Sequence, residues 1–414
     1  MTDITGSGSF FDLPWELTET VLGGRSAIDV SRLYLSGIAD AEDFLRAYGY
    51  DLRLPESAKE LEALRVEALD FIRNDLLSDE PDLTMPVEVA DEADLRRVLL
   101  WASMPHVQPR QRWACSLLRV MHTFAHCGSY FQDIYGDQIR EQILHSFRPH
   151  LQLTSNGLFL GKGPHAVPLR SFQMRGRKSR RSIAMKLLHK AENVSADVFD
   201  WVGIRFVTLH RYDALLVARF LRANNVIMFA NVRPGRSRNT LMDLQQVRAL
   251  TEESLRFAHN DAQRWEWLRA QVAANPYPEE ATRSTYNPHS AAVYHSIQFT
   301  CSQHIRVANP HLASLRRFVG NSGRFDTMAR TLDRFGIQTG IGFFFPYEVQ
   351  IMDTESYERS RHGRASHTEY KARQRHAVKR RLWGDWIGEE LRPLPIEFEA
   401  RTDADSDIYL MQSP

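Results

Sequence analysis

Two acidic residues, Asp200 in DVFDWVGIRFVTL and Glu348 in FFFPYEVQIMD, each stand beside a cluster of basic residues. The run RGRKSRRSIAMKLLHK precedes the first, and SRHGRASHTEYKARQRHAVKRR follows the second. Carboxylates at sheet edges hold Mg²⁺, and nearby Arg and Lys hold phosphates. The pairing points to phosphoryl or nucleotidyl chemistry. Met174 to Lys190 carries seven Lys or Arg and no acid, and Arg359 to Arg381 carries nine against one Glu. A basic run is ordinarily a solvated face; two runs that flank candidate carboxylates also suit a phosphate site.

Spacing places these residues on elements. Lys178, Ser182, Lys186 and Lys190 are four apart, which on a helix makes one slowly drifting stripe beside the apolar Ile183 and Leu187. Such a stripe suits a polyphosphate or is a plain exposed face. Glu348 and Gln350 alternate with Tyr347, Val349 and Ile351, so a strand puts the acid and the amide on one face and the apolar set on the other. An acid there needs a partner or a metal, or else it faces water. Asp200 and Arg205 have opposite parity, so Asp200 either precedes the strand or Gly203 carries a bulge. His367, Tyr370 and Lys371, at i, i+3 and i+4, make one polar patch on a helix.

The elements that must position them follow from periodicity. Residues 1–150 read as a helical domain, scaffold or regulatory, with helical patterns in VSRLYL, AEDFLRAYGYDL, AKELEALRVEALDFIRNDLL, EADLRRVLLWASM and RWACSLLRVMHTFAHCGSYF. Asp40 and Ser57 are expected caps, and Pro81, Pro86, Pro105 and Pro109 separate the helices. LQLTSNGLFLGKG reads as a hairpin around Ser-Asn-Gly. Then come a helix over Ser179–His189, a strand over Val202–Leu209, a helix over Tyr212–Ala223 and a strand over Asn225–Ala230. Helix is expected over 243–273 and 311–335, strand over Tyr294–Cys301 and Gly340–Met352, and helix again over 366–386. An acidic tail, 391–414, ends the chain as strand or loop.

Bulk properties exclude little. A chain of 414 residues with 43% hydrophobic content can bury a large core in two or three domains. A net charge of +1 provides no global field to recruit nucleic acid or membrane. Cys115, Cys127 and Cys301 are too scattered for a disulfide framework, which favours a reduced, cytoplasmic compartment. The N-terminus does not read as a signal peptide, and no apolar run approaches a membrane span.

The order of motifs over about residues 170–385 resembles the synthetase domain of the RelA/SpoT family, which makes (p)ppGpp alarmones. Lys178, Ser182, Ile183 and Lys186 match the family's R-x-K-x-x-x-S-I-x-x-K helix, and Asp200, Gly203, Ile204 and Arg205 match its D-x-x-G-I-R strand. Tyr294 and Ser296 match part of G-Y-x-S-x-H, Glu348 and Gln350 match E-x-Q, and His367, Tyr370 and Lys371 match H-W-x-Y-K. The resemblance implies an α+β chain, with a nucleotidyltransferase-like mixed sheet flanked by helices over 151–390, inserted near 235–285 and 305–340. It implies pyrophosphate transfer from ATP to the 3′-hydroxyl of a nucleotide, with release of AMP. Asp200 and Glu348 would be catalytic and would hold Mg²⁺. Arg175, Arg177, Lys178, Ser182, Lys186, Arg205, His367 and Lys371 would bind ATP and its phosphates. Tyr294, Gln298, Gln350 and Tyr370 would meet the acceptor.

Departures from the family pattern cluster on the acceptor side: Val293, Ser290, Gln298, Met352 and Thr368 stand where the family has Gly, Lys, His, Arg and Trp. On the other side, the motif Arg is Gly176, flanked by Arg175 and Arg177. The acceptor is therefore expected to differ from GDP or GTP, as an adenosine nucleotide or an RNA 3′ end. A nucleotide sensor without turnover is the third reading. His122 and His126, at i, i+4 with Asp133, Asp137 and His145 downstream, have a spacing that can bind metal but lack an H-E-x-x-H pattern, so they read as structural.

Overall fold

The computed structural model describes residues 15–24, 26–105, 108–127, 130–175, 179–189, 201–257, 260–278, 295–308, 340–361, 367–389 and 407–413. The chain is α+β and clusters into two compact units, each made of three separate segments. The first comprises Met1–Gly128, Lys178–Val198 and His367–Ala404; the second comprises Ser129–Arg177, Phe199–Ser366 and Asp405–Pro414. No helix among the described residues is long and apolar enough to cross a membrane.

The described elements of the first unit are helical: α1 (Trp15–Leu22), α2 (Ile38–Tyr48), α3 (Pro55–Phe71), α4 (Val87–Ala90), α5 (Leu95–Ala102) and α6 (Pro109–His126), besides short 3-10 turns. Pro55 and Pro109 each occupy the first turn of their helix, where a missing N–H costs nothing. Helix α3 runs into a π-helical turn, Ile72–Leu76. That turn leaves carbonyls unpaired, and the buried Arg375 fills them, donating through Nε to Asp75 O (2.6 Å) and through an Nη to Leu76 O (3.1 Å).

Three local expectations are corrected here. VSRLYL is extended, because Leu33 N–H donates to Ala102 O (3.0 Å) and Leu35 N–H to Ser103 Oγ (3.1 Å) at the end of α5, so these donors are not available to a helix. Ser57 lies inside α3, whose N-cap position is Leu54. Asp40 also lies inside its helix, α2, and its carboxylate accepts from Ser36 N–H (3.0 Å) ahead of it.

The second unit is built on one eight-stranded mixed sheet. Helix α7 (Tyr130–Phe147) precedes β1 (Leu151–Thr154), β2 (Gly157–Leu160) and β3 (Val167–Arg175). In the first unit, α8 (Arg180–Leu188) follows; the chain then returns to form β4 (Gly203–Thr208), α9 (Asp213–Ala223) and β5 (Val232–Asn239). Next come α10 (Leu244–Phe257), α11 (Asp261–Ala274), β6 (Ile297–Ala308), β7 (Gly340–Asp353) and α12 (Thr354–Arg361). Helix α13 (His367–Trp383) belongs to the first unit, and β8 (Asp407–Gln412) closes the second. Strand order is β1-β2-β3-β4-β7-β6-β5, with β8 paired to β3. Among the described residues only β4 and β7 run parallel; the other ladders are antiparallel.

The expected 151–160 hairpin forms, with Gly157 at φ 128°, a value that favours glycine. The expected strand over 225–230 does not. Asn225 takes φ 53° after α9, a 3-10 turn spans Phe229–Asn231, and the strand starts at Val232. The expected helix over 243–273 is two helices, the second capped by Asn260, whose side chain accepts from Gln263 N–H (2.9 Å). The acidic tail supplies β8, which pairs with β3 from Ser171 to Arg175. The expected helix over 311–335 lies outside the described residues.

Register separates the two faces of the sheet. One carries Phe172, Phe206 and Ile351 in a row, with Ile204 and Val349 beside them. Phe147 of α7 packs on this face, with ring centroids 6.1 Å from Phe172, 6.0 Å from Phe206 and 6.1 Å from Tyr347. Helix α9 also packs against β4 and β7. All of these side chains are buried, and this is the core of the unit. The other face carries a polar row, with the buried Val207 and Met352 at one end of it.

Candidate functional site

Residues paired directly across a sheet share a face. On the polar face, one row runs Gln173 (β3), Arg205 (β4), Gln350 (β7), Gln298 (β6) and Arg238 (β5). Beside it, Glu348 pairs with Gly203 on one side and Thr300 on the other. The parallel ladder runs unshifted from Gly203 to Thr208, so Gly203 carries no bulge in it, and the strand begins after Asp200. Glu348 N–H donates to Val202 O (2.9 Å), which fixes the start of that ladder.

Hydrogen bonds knit the row. Arg205 donates through Nε to Gln350 Oε1 (2.7 Å) and through an Nη to Gln173 Oε1 (3.3 Å). Gln173 donates through Nε2 to the Tyr357 hydroxyl on α12 (2.9 Å). The Gln298 amide donates to Glu348 Oε1. Oε2 of the half-buried Glu348 accepts from no described residue. Arg175, at the end of β3, lies across Gly203: a Cβ added there would stand 3.6 Å from Arg175 Cδ. The stem therefore passes at ordinary contact distance from position 203, beside the Glu348 row.

A second polar cluster lies at the far end of β7. Tyr277 donates to Asp353 Oδ2 (3.0 Å), stacks on His295 (centroids 4.2 Å apart, planes at 10°) and carries the Arg211 guanidinium 4.3 Å above its ring. Burial raises the Tyr277 hydroxyl pKa and lowers that of the His295 imidazole. Both groups are held neutral, which suits an anchor for the segment after α11.

In the first unit, α8 packs on α13. Ser179 caps α8, its Oγ accepting from Ser182 N–H (3.2 Å) and donating to Ser182 Oγ (3.1 Å), so the Ser182 hydroxyl takes part in the cap. Lys186 and Lys371 are half-buried on their helices. Gln374 donates to the Tyr370 hydroxyl (3.0 Å), and His367 opens α13.

The expectation that the two basic runs face phosphate does not hold for much of their charge. Arg181 pairs with Asp70 and Asp75, Arg375 and Lys379 with Asp79, Lys379 also with Glu80, and Arg381 with Asp29. Arg375 and Lys379 are each only 2% exposed. These cations neutralise acids of the same unit, a use that the sign of a run cannot reveal.

The second unit thus brings Arg175, Arg205, Gln298, Glu348 and Gln350 onto one face. The first carries Ser182, Lys186, Tyr370 and Lys371 on two packed helices. Arg177, Lys178, Asp200 and Tyr294 lie outside the described residues. Sequence reasoning passed over Gln173, Thr300 and Tyr357; an amide set between Phe172 and Met174 was the available signal for the first.

Glu348 has the chemistry to hold a divalent cation: one carboxylate oxygen is fixed by an amide, and the other accepts from no described neighbour. Mg²⁺ commonly takes one or two protein carboxylates and completes its shell with water and substrate phosphate. No cluster of three or more His, Cys, Asp or Glu that could hold a metal occurs among the described residues. Comparison of the chain with family models, curated proteins and solved structures finds no match.

Proposed function

We propose that the chain is an ATP- and Mg²⁺-dependent pyrophosphokinase that transfers pyrophosphate to the 3′-hydroxyl of a nucleotide. The observation that carries this reading is the pairing of β4 with β7, which sets Glu348, Gln350 and Arg205 side by side on the polar face. These residues belong to the two strand motifs that resemble the RelA/SpoT synthetase. Bound Mg²⁺ would supply charge neutralisation at the phosphates, with Glu348 and Asp200 as its protein ligands.

In this reading the acceptor oxygen bonds to the β-phosphorus of ATP and the α–β bridging bond breaks, with AMP leaving. Glu348 takes the proton of the attacking hydroxyl. Arg205 and Arg175 present guanidinium groups to the nucleotide. Gln298, bonded to Glu348, orients the carboxylate on the side where the family pattern departs, which ties the altered residue to the acceptor. The roles given to Ser182, Lys186, His367, Tyr370 and Lys371 rest on the resemblance alone. An RNA acceptor draws less support, because Arg375, Lys379 and Arg381 are spent on internal acids.

The test is thin-layer analysis of labelled ATP with Mg²⁺ and GDP, GTP, ADP, AMP or bulk tRNA. AMP release with a labelled acceptor, lost in Glu348→Ala and Asp200→Ala, is the expected result. ATP binding without AMP under any acceptor would replace the enzyme with a nucleotide sensor.

A further inference from the structure

The helical unit contains a cavity that the proposed chemistry does not use. It has a volume of about 210 Å³ and is walled by α2, α3, α5, α6 and the segment around Ile28 to Leu33. The body of the wall is aliphatic, with Leu64, Leu95, Leu99 and Met121 all nearly buried. An engineered cavity of about 150 Å³ with similar walls takes benzene, so this one suits a body of about eight carbons.

The polar groups on the wall are few, and the charged ones among them are two arginines. Arg32, Arg119, His122, Tyr48 and Tyr50 line the cavity, and no carboxylate among the described residues does. The nearby acids already have partners: Asp29 accepts from Arg381 (2.6 Å), Glu16 from Ser31 N–H (2.9 Å), and Glu60 from the Tyr50 hydroxyl. Arg119 spends one Nη on Val30 O (2.6 Å) and a long contact on Leu382 O (3.5 Å), leaving further N–H groups of its fork. Arg32 lies over the Tyr34 ring at 4.5 Å. His122 shares its Nδ1 with the Tyr48 hydroxyl (2.7 Å), which also lies 3.3 Å from His126 Nε2, so this edge is polar and neutral.

From this juxtaposition we propose that the cavity is a binding site for a small monocarboxylic acid. The aliphatic or aromatic body lies among Leu64, Leu95, Leu99 and Met121, and the carboxylate is held by Arg119 and Arg32. Charge-assisted bonds from guanidinium groups give the head-group preference, and the cavity volume gives the length preference.

The site is tested by calorimetric titration of the full chain with octanoate, 1-octanol and octylamine, which share a body and differ in head. Saturable octanoate binding, at least about fivefold tighter than octanol and with octylamine weaker still, is expected from charge-assisted pairing. Arg32→Gln weakens octanoate about fivefold and leaves octanol unchanged. Ala125→Phe, which places a ring at the cavity wall, removes both. Absence of saturable octanoate binding overturns the site. Equal binding of acid, alcohol and amine, or octanoate affinity indifferent to both substitutions, overturns the carboxylate assignment.

Discussion

The Arg205 guanidinium donates through Nε to Gln350 Oε1 at 2.7 Å across the parallel β4–β7 pair. Gln350 is 8% exposed, so its carbonyl has little access to water in place of this donor. Arg205→Ala is expected to destabilise the second unit by about 1–3 kcal/mol, because two amide oxygens lose a charged donor. Arg205→Lys recovers less than half of that, since an ammonium group lacks the planar fork. Urea titration of both variants checks the ordering.

Gly203 and Arg175 give a steric prediction. A Cβ at 203 meets the Arg175 stem at ordinary contact distance, so Gly203→Ala is tolerated. Gly203→Val adds two methyl groups into the space the stem occupies and displaces it. If Arg175 contacts nucleotide, affinity for a fluorescent ATP analogue falls about tenfold in the Val variant and hardly changes in the Ala variant. Equal affinities in the two would remove Arg175 from the site.

Asp213 is fully buried on α9 and accepts from Trp265 Nε1 (2.7 Å) and from Arg269 through Nε (2.9 Å) and an Nη (2.7 Å) on α11. Arg269→Met leaves a buried carboxylate short of its counter-charge and is expected to cost about 3–5 kcal/mol. The double variant Asp213→Leu with Arg269→Met should recover much of that loss, which a thermal melt of the set would show.

His122 gives a pH dependence. Burial, with His126 beside it, lowers its imidazole pKa from an ordinary 6.5 to about 4. The unfolded chain then binds the proton more readily between those values, so stability is full above pH 6.5 and declines as pH falls towards 4. The full difference would be worth about 3 kcal/mol, and partial exposure of the ring reduces that to about 1–2 kcal/mol. Denaturant titrations at pH 7 and pH 4.5 should show this loss in the parent chain and a smaller one in His122→Leu.

What could be read ahead of the structure follows from the range of each interaction. The alternation of Glu348 and Gln350 with Tyr347, Val349 and Ile351 fixes two faces locally, and β7 shows both. Nothing local announces that β4 pairs parallel with β7 across 145 positions, and that register brings Arg205 to Gln350. VSRLYL has helical spacing, yet its backbone is claimed by the end of α5, a partner about 70 residues away. The basic runs show the sign of charge, but not that Asp29, Asp79 and Glu80 would neutralise them. The acidic segment near the C-terminus shows no strong strand pattern, because its register is imposed by β3.

Each compact unit is assembled from three stretches of chain, and the chain passes between them near positions 128, 177, 198, 366 and 404. A module made from one continuous stretch can be duplicated, fused or exchanged between genes as a cassette. Neither unit here can be, because no continuous stretch of chain holds the whole of one without part of the other. Helix α8, with its Lys186, lies between β3 and β4 in the sequence, so inheritance of the polar sheet face carries that helix along with it. Exchange of either unit between genes would therefore need several matched joins in place of two.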